Sequence, residues 1–349
     1  MKKHQPEFTY MRGLAIVLIV LGHSIYNSSQ GFPALLENLL RGGTALFVFI
    51  SGYFYHRVFH PRLIYREFIM GKVHNVLYPF LWVSLFGLLA LALQWSLMYH
   101  RPLTEVGKGI YYTVRNGYVL YPHWYIPFIM AVFALSPLYS AYIRFSAFWR
   151  WALLILFSLI AIFMHRPIGN INVVQSVIYF TPFYLLGIQY SAHEQSLVRL
   201  KLPIGILALL GLVFTLVYQS YFTDHLGNYH KLAWEYQGLD WQFIQKFCLC
   251  LLVLGLCQWL AARDLPTKIQ AGLESLAEMS FAIFFIHPLF SLLFGVITGL
   301  ARYKLPPGNP WTALAFSAMI FLFLMLGSVW TAKWIKRRLG DRSRRLIGW

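Results

Sequence analysis

The stretch Tyr10-Met11-Arg12-Gly13-Leu14-Ala15-Ile16-Val17-Leu18-Ile19-Val20-Leu21-Gly22-His23-Ser24 sets an arginine and a histidine eleven positions apart on one apolar segment. Eleven steps of about 100° return to nearly the same face, so a helix here places Arg12 and His23 along one side, about 16 Å apart. A guanidinium and an imidazole inside a hydrophobic segment are expensive to keep, which marks that face as functional. Each residue alone has a plainer role: Arg12 as an anchor snorkelling to the membrane surface, His23 as a packed histidine with a local partner. Sharing one face, they read as parts of one site. An imidazole of ordinary pKa, about 6.5, beside a substrate hydroxyl suits general-base work.

Outward from this segment the chain stays apolar: its 349 residues are 58% hydrophobic and only 12% charged. Soluble domains carry roughly twice that charge. The pattern predicts an all-α, polytopic transmembrane helical bundle of about ten spans. Their windows are 10–28, 42–59, 75–98, 122–143, 151–165, 175–192, 203–221, 241–261, 277–298 and 311–332. The fifth is interrupted by His165, Arg166 and Pro167 and is expected to be tilted or only partly inserted. The first keeps Arg12 and His23 and has no small-residue cleavage site, so it reads as a permanent span. No internal repeat is evident, and the longest stretches between spans, 99–121 and 222–240, are too short to fold alone. The chain therefore reads as one membrane domain, 1–349, with a core at 8–332 and a basic cytoplasmic tail at 333–349.

The net charge of +17 matters through its placement. With the N-terminus inside, cytoplasmic segments hold nineteen of the 29 Lys and Arg, from Lys2 and Lys3 to seven in the tail. Eight fall outside: Arg41, Arg101, Lys108, Arg115, Arg166, Lys231, Arg302 and Lys304. That inequality predicts an N-in, C-in topology, sets the basic tail against anionic lipid headgroups and argues against nucleic acid as a partner. Cys248, Cys250 and Cys257 share one apolar span, where a thiol behaves as a small hydrophobe, so neither a disulfide framework nor a metal site is expected.

Further constellations follow along the chain. Gly42-Gly43 and Ser51-Gly52-Tyr53 permit close helix approach. The loop from His56 to Asn75 carries Arg57, His60, Arg62, Arg66, Lys72 and His74 with Glu67 as counter-charge. Topogenic signalling explains it, and it is also what a phosphate-rich cytoplasmic donor needs; Lys72 is the first choice. Tyr121-Pro122-His123-Trp124-Tyr125 serves equally as an aromatic belt or as a platform for a sugar ring. Glu278, Ser280 and His287-Pro288 bring a second intramembrane histidine beside a helix-breaking proline. The loop with Asp224, His225, His230, Glu235 and Asp240 is open to two readings, acceptor contact or simple solvation.

In their order along the chain, several of these segments resemble acyltransferase family 3, integral membrane enzymes that O-acetylate or O-succinylate surface glycans. They are Arg12 with ten residues before His23, Phe49-Ile50-Ser51-Gly52-Tyr53, Lys72 ahead of Tyr78-Pro79, His123-Trp124-Tyr125, and the run from Ser280 to His287-Pro288. The resemblance extends from residue 8 to about 332 and is most specific at the Arg12-to-His23 motif. It implies a multi-pass enzyme of the bacterial cytoplasmic (inner) membrane with no permanently bound cofactor. Such an enzyme takes acetyl-CoA, or succinyl-CoA, as co-substrate and acylates a hydroxyl of an extracytoplasmic or lipid-linked glycan, with acetyl the first expectation. On that pattern His23 is the base and Arg12 supports developing negative charge or donor phosphates. Lys72, Arg66 and Asn75 meet the donor; His123, Trp124 and Tyr125 meet the acceptor; Ser51, Gly52, Glu278 and His287 support them. The chain departs from the pattern twice. Thr9 stands where many members have an acid three residues before the arginine. Lys72, Val73 and Asn75 stand where many have two arginines before the third-span proline. The alternative is an exporter of polysaccharide or lipid-linked sugar, for which the chain lacks paired inverted repeats and matched broken helices.

The charge inequality makes a topology prediction. A reporter fused after Trp349 should be active only in the cytoplasm; activity confined to the opposite side refutes an even number of spans.

Overall fold

The computed structural model describes residues 5–223, 225–301 and 306–349. Lys2, Lys3, Asp224, Arg302 and Lys304 lie outside the described residues. The helices run α1 (Pro6–His23), α2 (Ala34–Leu40), α3 (Gly43–Phe54), α4 (Tyr65–Lys72), α5 (Tyr78–Leu93), α6 (Leu103–Arg115), α7 (Tyr125–Ala134), α8 (Ser136–Arg144) and α9 (Ala147–Met164). They continue with α10 (Val173–Ala192), α11 (Glu194–Arg199), α12 (Lys201–Phe222), α13 (Trp241–Ala261), α14 (Thr267–Glu278), α15 (Ser280–Leu300), α16 (Pro310–Leu339) and α17 (Ser343–Ile347). Among the described residues extended structure is confined to one short parallel pair, β1 (Arg166–Pro167) and β2 (His230–Lys231).

Seven helical stretches are long and apolar enough to cross a membrane, and an eighth arises if α7 and α8, bent by 51°, form one broken span. The molecule is thus an all-α polytopic bundle. Two expected windows, those of α1 and α10, fall outside this set because both helices sit at its centre. α10 is buried along nearly its whole length and carries Gln175, Tyr179, Tyr184 and Gln189 among its buried residues. A helix enclosed by other helices meets no lipid, so polar and aromatic side chains are tolerated there. The reverse holds at the periphery, where Leu207 and Leu210 of α12 and Ile155 of α9 point outward.

The break expected inside the fifth window comes after the helix. α9 runs unbroken to Met164, and His165, with a φ of 58°, turns the chain out of it. The basic tail continues the bundle. Lys333 to Leu339 prolong α16, and the chain then folds back so that Ser343 and Ile347 are buried and Gly348 sits against Phe281 and Phe285. Arg337, Arg338, Arg342, Arg344 and Arg345 remain exposed.

α3 and α10 pack backbone to backbone at the core. A Cβ on Gly52 would collide with the Tyr184 carbonyl, and one on Gly187 with the Phe49 carbonyl, so each helix supplies a glycine where the other comes closest. Gly43 does the same against α1, where Ala15 O and Ile19 would lie within 3.0 Å of an added methyl. The small residues that the sequence offers at 43 and 52 are therefore packing devices that draw α1, α3 and α10 into one unit.

Gly187→Ala and Gly52→Ala should each cost about 1–3 kcal/mol through overpacking and lower the melting temperature of the purified protein. Gly205→Ala in α12, where an added methyl meets nothing within 4 Å, is the control and should hold or raise it. Equal melting of all three variants contradicts the close α3–α10 contact.

Candidate functional site

α1 and α15 lie side by side and are joined at two levels. At one, Arg12 Nη2 donates to the Ala277 carbonyl at 2.9 Å and to Ser280 Oγ at 3.2 Å, where α14 gives way to α15. At the other, His23 Nδ1 stands 3.0 Å from His287 Nε2, the two rings nearly parallel at 8°. The first residue of the pair closes α1, and the second is fully buried within α15. Pro288 follows immediately, and its missing N–H leaves the Phe284 carbonyl without its helical donor.

The partners dictate the tautomers. His287 Nδ1 is 2.9 Å from the Ile283 carbonyl, which can only accept, so this nitrogen carries the proton. In a neutral ring Nε2 is then a bare acceptor, and His23 Nδ1 must donate to it. His23 Nε2 is left with a free lone pair. A carbonyl on α15 thereby sets, through one imidazole, which nitrogen of the next can act as a base.

His23 lines two cavities. The first, about 720 Å³ when the space open to solvent is counted, is bounded by Leu18, Gly22, His23, Arg41, Thr44, Phe47, Trp124, Tyr125, Arg166, Asn228, Ser280 and Phe284, among others. The second, about 1090 Å³, runs along Gln94, Leu120, His287, Pro288, Ser291 and Gly295. They share Gly22, His23, Arg41, Tyr121 and Pro122, so the imidazole stands in the wall between them. Tyr121 meets its ring edge-on at 5.7 Å.

The structure brings some of the expected residues together and separates others. Trp124 and Tyr125 face the first cavity, whereas His123 does not: it packs among Phe80, Phe284 and Phe285 and donates from Nε2 to the Phe285 carbonyl at 3.3 Å. Arg12 lines neither cavity, but its partner Ser280 lines the first. Ser51 donates to the Phe47 carbonyl at 2.8 Å, and Gly52 is held against α10. Lys72 has its ammonium enclosed by the faces of Phe59, Phe68 and Phe133, at 4.4, 5.0 and 4.5 Å. Asn75 bonds back to Gly71 O at 2.7 Å, and Arg66 and Glu278 are exposed. The contacts described for Lys72 and Asn75 are made with their own neighbourhood and not with Arg12.

The cations that do reach the cavity are Arg41 and Arg166, which motif reading passed over as ordinary external charges. Arg41 donates to the carbonyl of Gly22, one residue from His23, and pairs with Glu37 at 2.9 Å. The available signal was that both oppose the inside-positive rule while flanking apolar segments. The loop whose role the sequence left open folds inward beside them. Asp240 caps α13 and accepts from the Tyr179 hydroxyl at 2.9 Å; β2 pairs with β1, registering Arg166 against His230.

A family model described as an acyltransferase domain matches residues 5–333 of this chain. No curated protein and no solved structure matches it.

His230, in the loop outside the spans, supplies a pH prediction. Burial, and then the nearby Arg166 charge, push its pKa down to about 3, while Nδ1 donates to the Pro167 carbonyl at 2.8 Å. Below a pH of about 6.5 the unfolded chain binds a proton at this position that the folded chain refuses. Stability should therefore fall as the pH drops from about 6.5 toward 3. His230→Asn, which keeps a donor to Pro167, should flatten that fall in a melting series. An unchanged slope contradicts the burial of this imidazole.

Proposed function

The chain belongs to the acyltransferase 3 family and is in general terms a membrane acyltransferase; from that premise we propose that it carries an acyl group, acetyl foremost, from a cytoplasmic acyl-CoA to a hydroxyl of an extracytoplasmic or lipid-linked surface glycan. The observation that carries this reading is the His23–His287 pair in the wall between two cavities. The acceptor hydroxyl gives its proton to His23 Nε2 as its oxygen attacks the thioester carbonyl. A C–O bond forms, the tetrahedral oxyanion collapses, the C–S bond breaks, and the CoA thiolate takes the proton back from Nε2.

While His23 holds that proton, its Nδ1–H bond to His287 becomes charge-assisted and shorter. His287 is thus a positioning residue: it fixes the tautomer and steadies the imidazolium. Arg41, anchored on the Gly22 carbonyl, supplies positive charge next to the reacting atoms, the role of an oxyanion stabiliser. Trp124 and Tyr125 offer aromatic faces for a sugar ring in the same cavity. On the donor side the reading keeps Arg12, through Ser280, for the CoA phosphates. Lys72 takes a smaller part with Arg66 and Asn75, because three phenylalanine faces already hold its ammonium.

Removing the base should show directly. His23→Ala should lower acyl transfer by about 10²- to 10⁴-fold, with the protein still inserted and folded. At position 287 the chemistry separates two variants. His287→Gln keeps an acceptor for His23 Nδ1 and should retain much of kcat, whereas His287→Leu should approach His23→Ala with KM nearly unchanged. The readouts are mass spectrometry of the surface glycan for an acetyl or succinyl ester and kinetics on the purified protein. Undiminished acylation by His23→Ala sinks the assignment, and glycan moved across the membrane without gaining an ester favours the exporter.

A further inference from the structure

The first cavity carries, in Arg166, a buried cation that acyl transfer to a neutral sugar leaves without a role. Arg166 is only 5% exposed. Its guanidinium lies over Trp124 at 4.8 Å and Phe180 at 5.5 Å and donates to Asn170 Oδ1 at 2.9 Å. Nε has no hydrogen-bond partner, and none of the described carboxylates forms an ion pair with it. Asp240 attracts Arg166 from beyond ion-pair distance, and its hydrogen bonds go to the Tyr179 hydroxyl and the Phe243 amide. Glu37 is committed to Arg41 and to Ser28.

The groups beside Arg166 on the cavity wall are donors as well. Arg41 lines the same space, and its Nε is likewise buried without a partner. Asn228 lines it too, and because its Oδ1 already accepts from the buried Lys246 ammonium, the amide N–H groups are what it can offer a ligand. Two guanidinium groups and an amide therefore converge on one space, with a single carboxylate, Glu37, paired to one of them. A cation removed from water without a directly paired counter-charge is costly, and a bound anion that completes the set relieves that cost. Aromatic faces offset part of it and also hold the guanidinium plane, whose fork matches a carboxylate or phosphate.

We propose that this part of the cavity is a subsite for one oxyanion group, a carboxylate or a phosphate, held by Arg166 together with Arg41 and the Asn228 amide. The anion belongs to a substrate of the transfer reaction. It is carried either by the distal end of a dicarboxylic acyl chain or by an anionic acceptor. Which of the two carries it rests on the acyl-transfer reading; the existence of the subsite does not.

The test is calorimetric titration of the purified protein in lipid nanodiscs with inorganic phosphate and with monomethyl succinate. Saturable binding of at least one is expected, weakening as salt rises, unchanged in Gly205→Ala and reduced by about tenfold or more in Arg166→Gln. Arg166→Lys keeps the charge and the aromatic contact but loses the fork, so it should bind at an intermediate strength and guards against a folding artefact. Absence of saturable binding of both anions, or equal binding by wild type and Arg166→Gln, overturns the subsite. A kinetic arm assigns the source. If the acyl chain carries the anion, Arg166→Gln lowers the preference for succinyl-CoA over acetyl-CoA with an uncharged acceptor; if the acceptor carries it, that preference holds and the KM of an anionic acceptor rises. Should no transfer occur even in the wild type, the acyl-transfer reading fails while the titration still decides the subsite.

Discussion

One hydrogen bond, from His23 Nδ1 to His287 Nε2 at 3.0 Å, organises the centre of this molecule. It joins two histidines 264 residues apart. His287 is fully buried and cannot be solvated where it stands, so it must find its partners within the protein, whereas His23 keeps one edge open to the cavities. The Ile283 carbonyl fixes the first proton, and the others follow by valence. Everything the site can do chemically depends on that order, because it leaves His23 Nε2 as a bare lone pair. The arrangement resembles other base-and-orienter pairs in logic, although here the orienter is an imidazole and not a carboxylate.

The same constraint explains why the bundle is built inside out. Arg12 and His23 are carried on α1, which has no exposed residue, and α10, buried along nearly its whole length, helps to enclose the same core. Their enclosure requires close packing, which the glycines at 43, 52 and 187 provide. The apolar outer helices then act as a sleeve. The C-terminal turn completes it on one side, where Gly348 rests on Phe281 and Phe285 below the first cavity.

Much of this was legible in the chain. The apolar runs gave the helices, and the eleven-residue spacing placed Arg12 and His23 on one face of α1, as the two rungs to α15 bear out. The pairing of His23 with His287 was not legible, since no local pattern relates positions so far apart. Nor was the divergence of His123 from Trp124. These neighbours share a 3₁₀ turn, in which successive side chains point about 120° apart, so one faces the cavity while the other enters an aromatic nest. Arg41 and Arg166 escaped notice because charge counting assigns a side and not a depth. The apolar runs at 10–28 and 175–192 did mark α1 and α10, but nothing in them showed that these two helices form the enclosed centre.

The central claim is a statement about protons on nitrogen, and nitrogen-15 spectroscopy reads them directly. With histidine-labelled protein in bilayers at neutral pH, and resonances assigned by loss in His23→Ala and His287→Gln, the account predicts a protonated Nδ1 and an unprotonated Nε2 on His23. It also predicts a coupling across the hydrogen bond from that Nδ1 to His287 Nε2. A His23 protonated on Nε2, or one without a through-bond connection to His287, would contradict it.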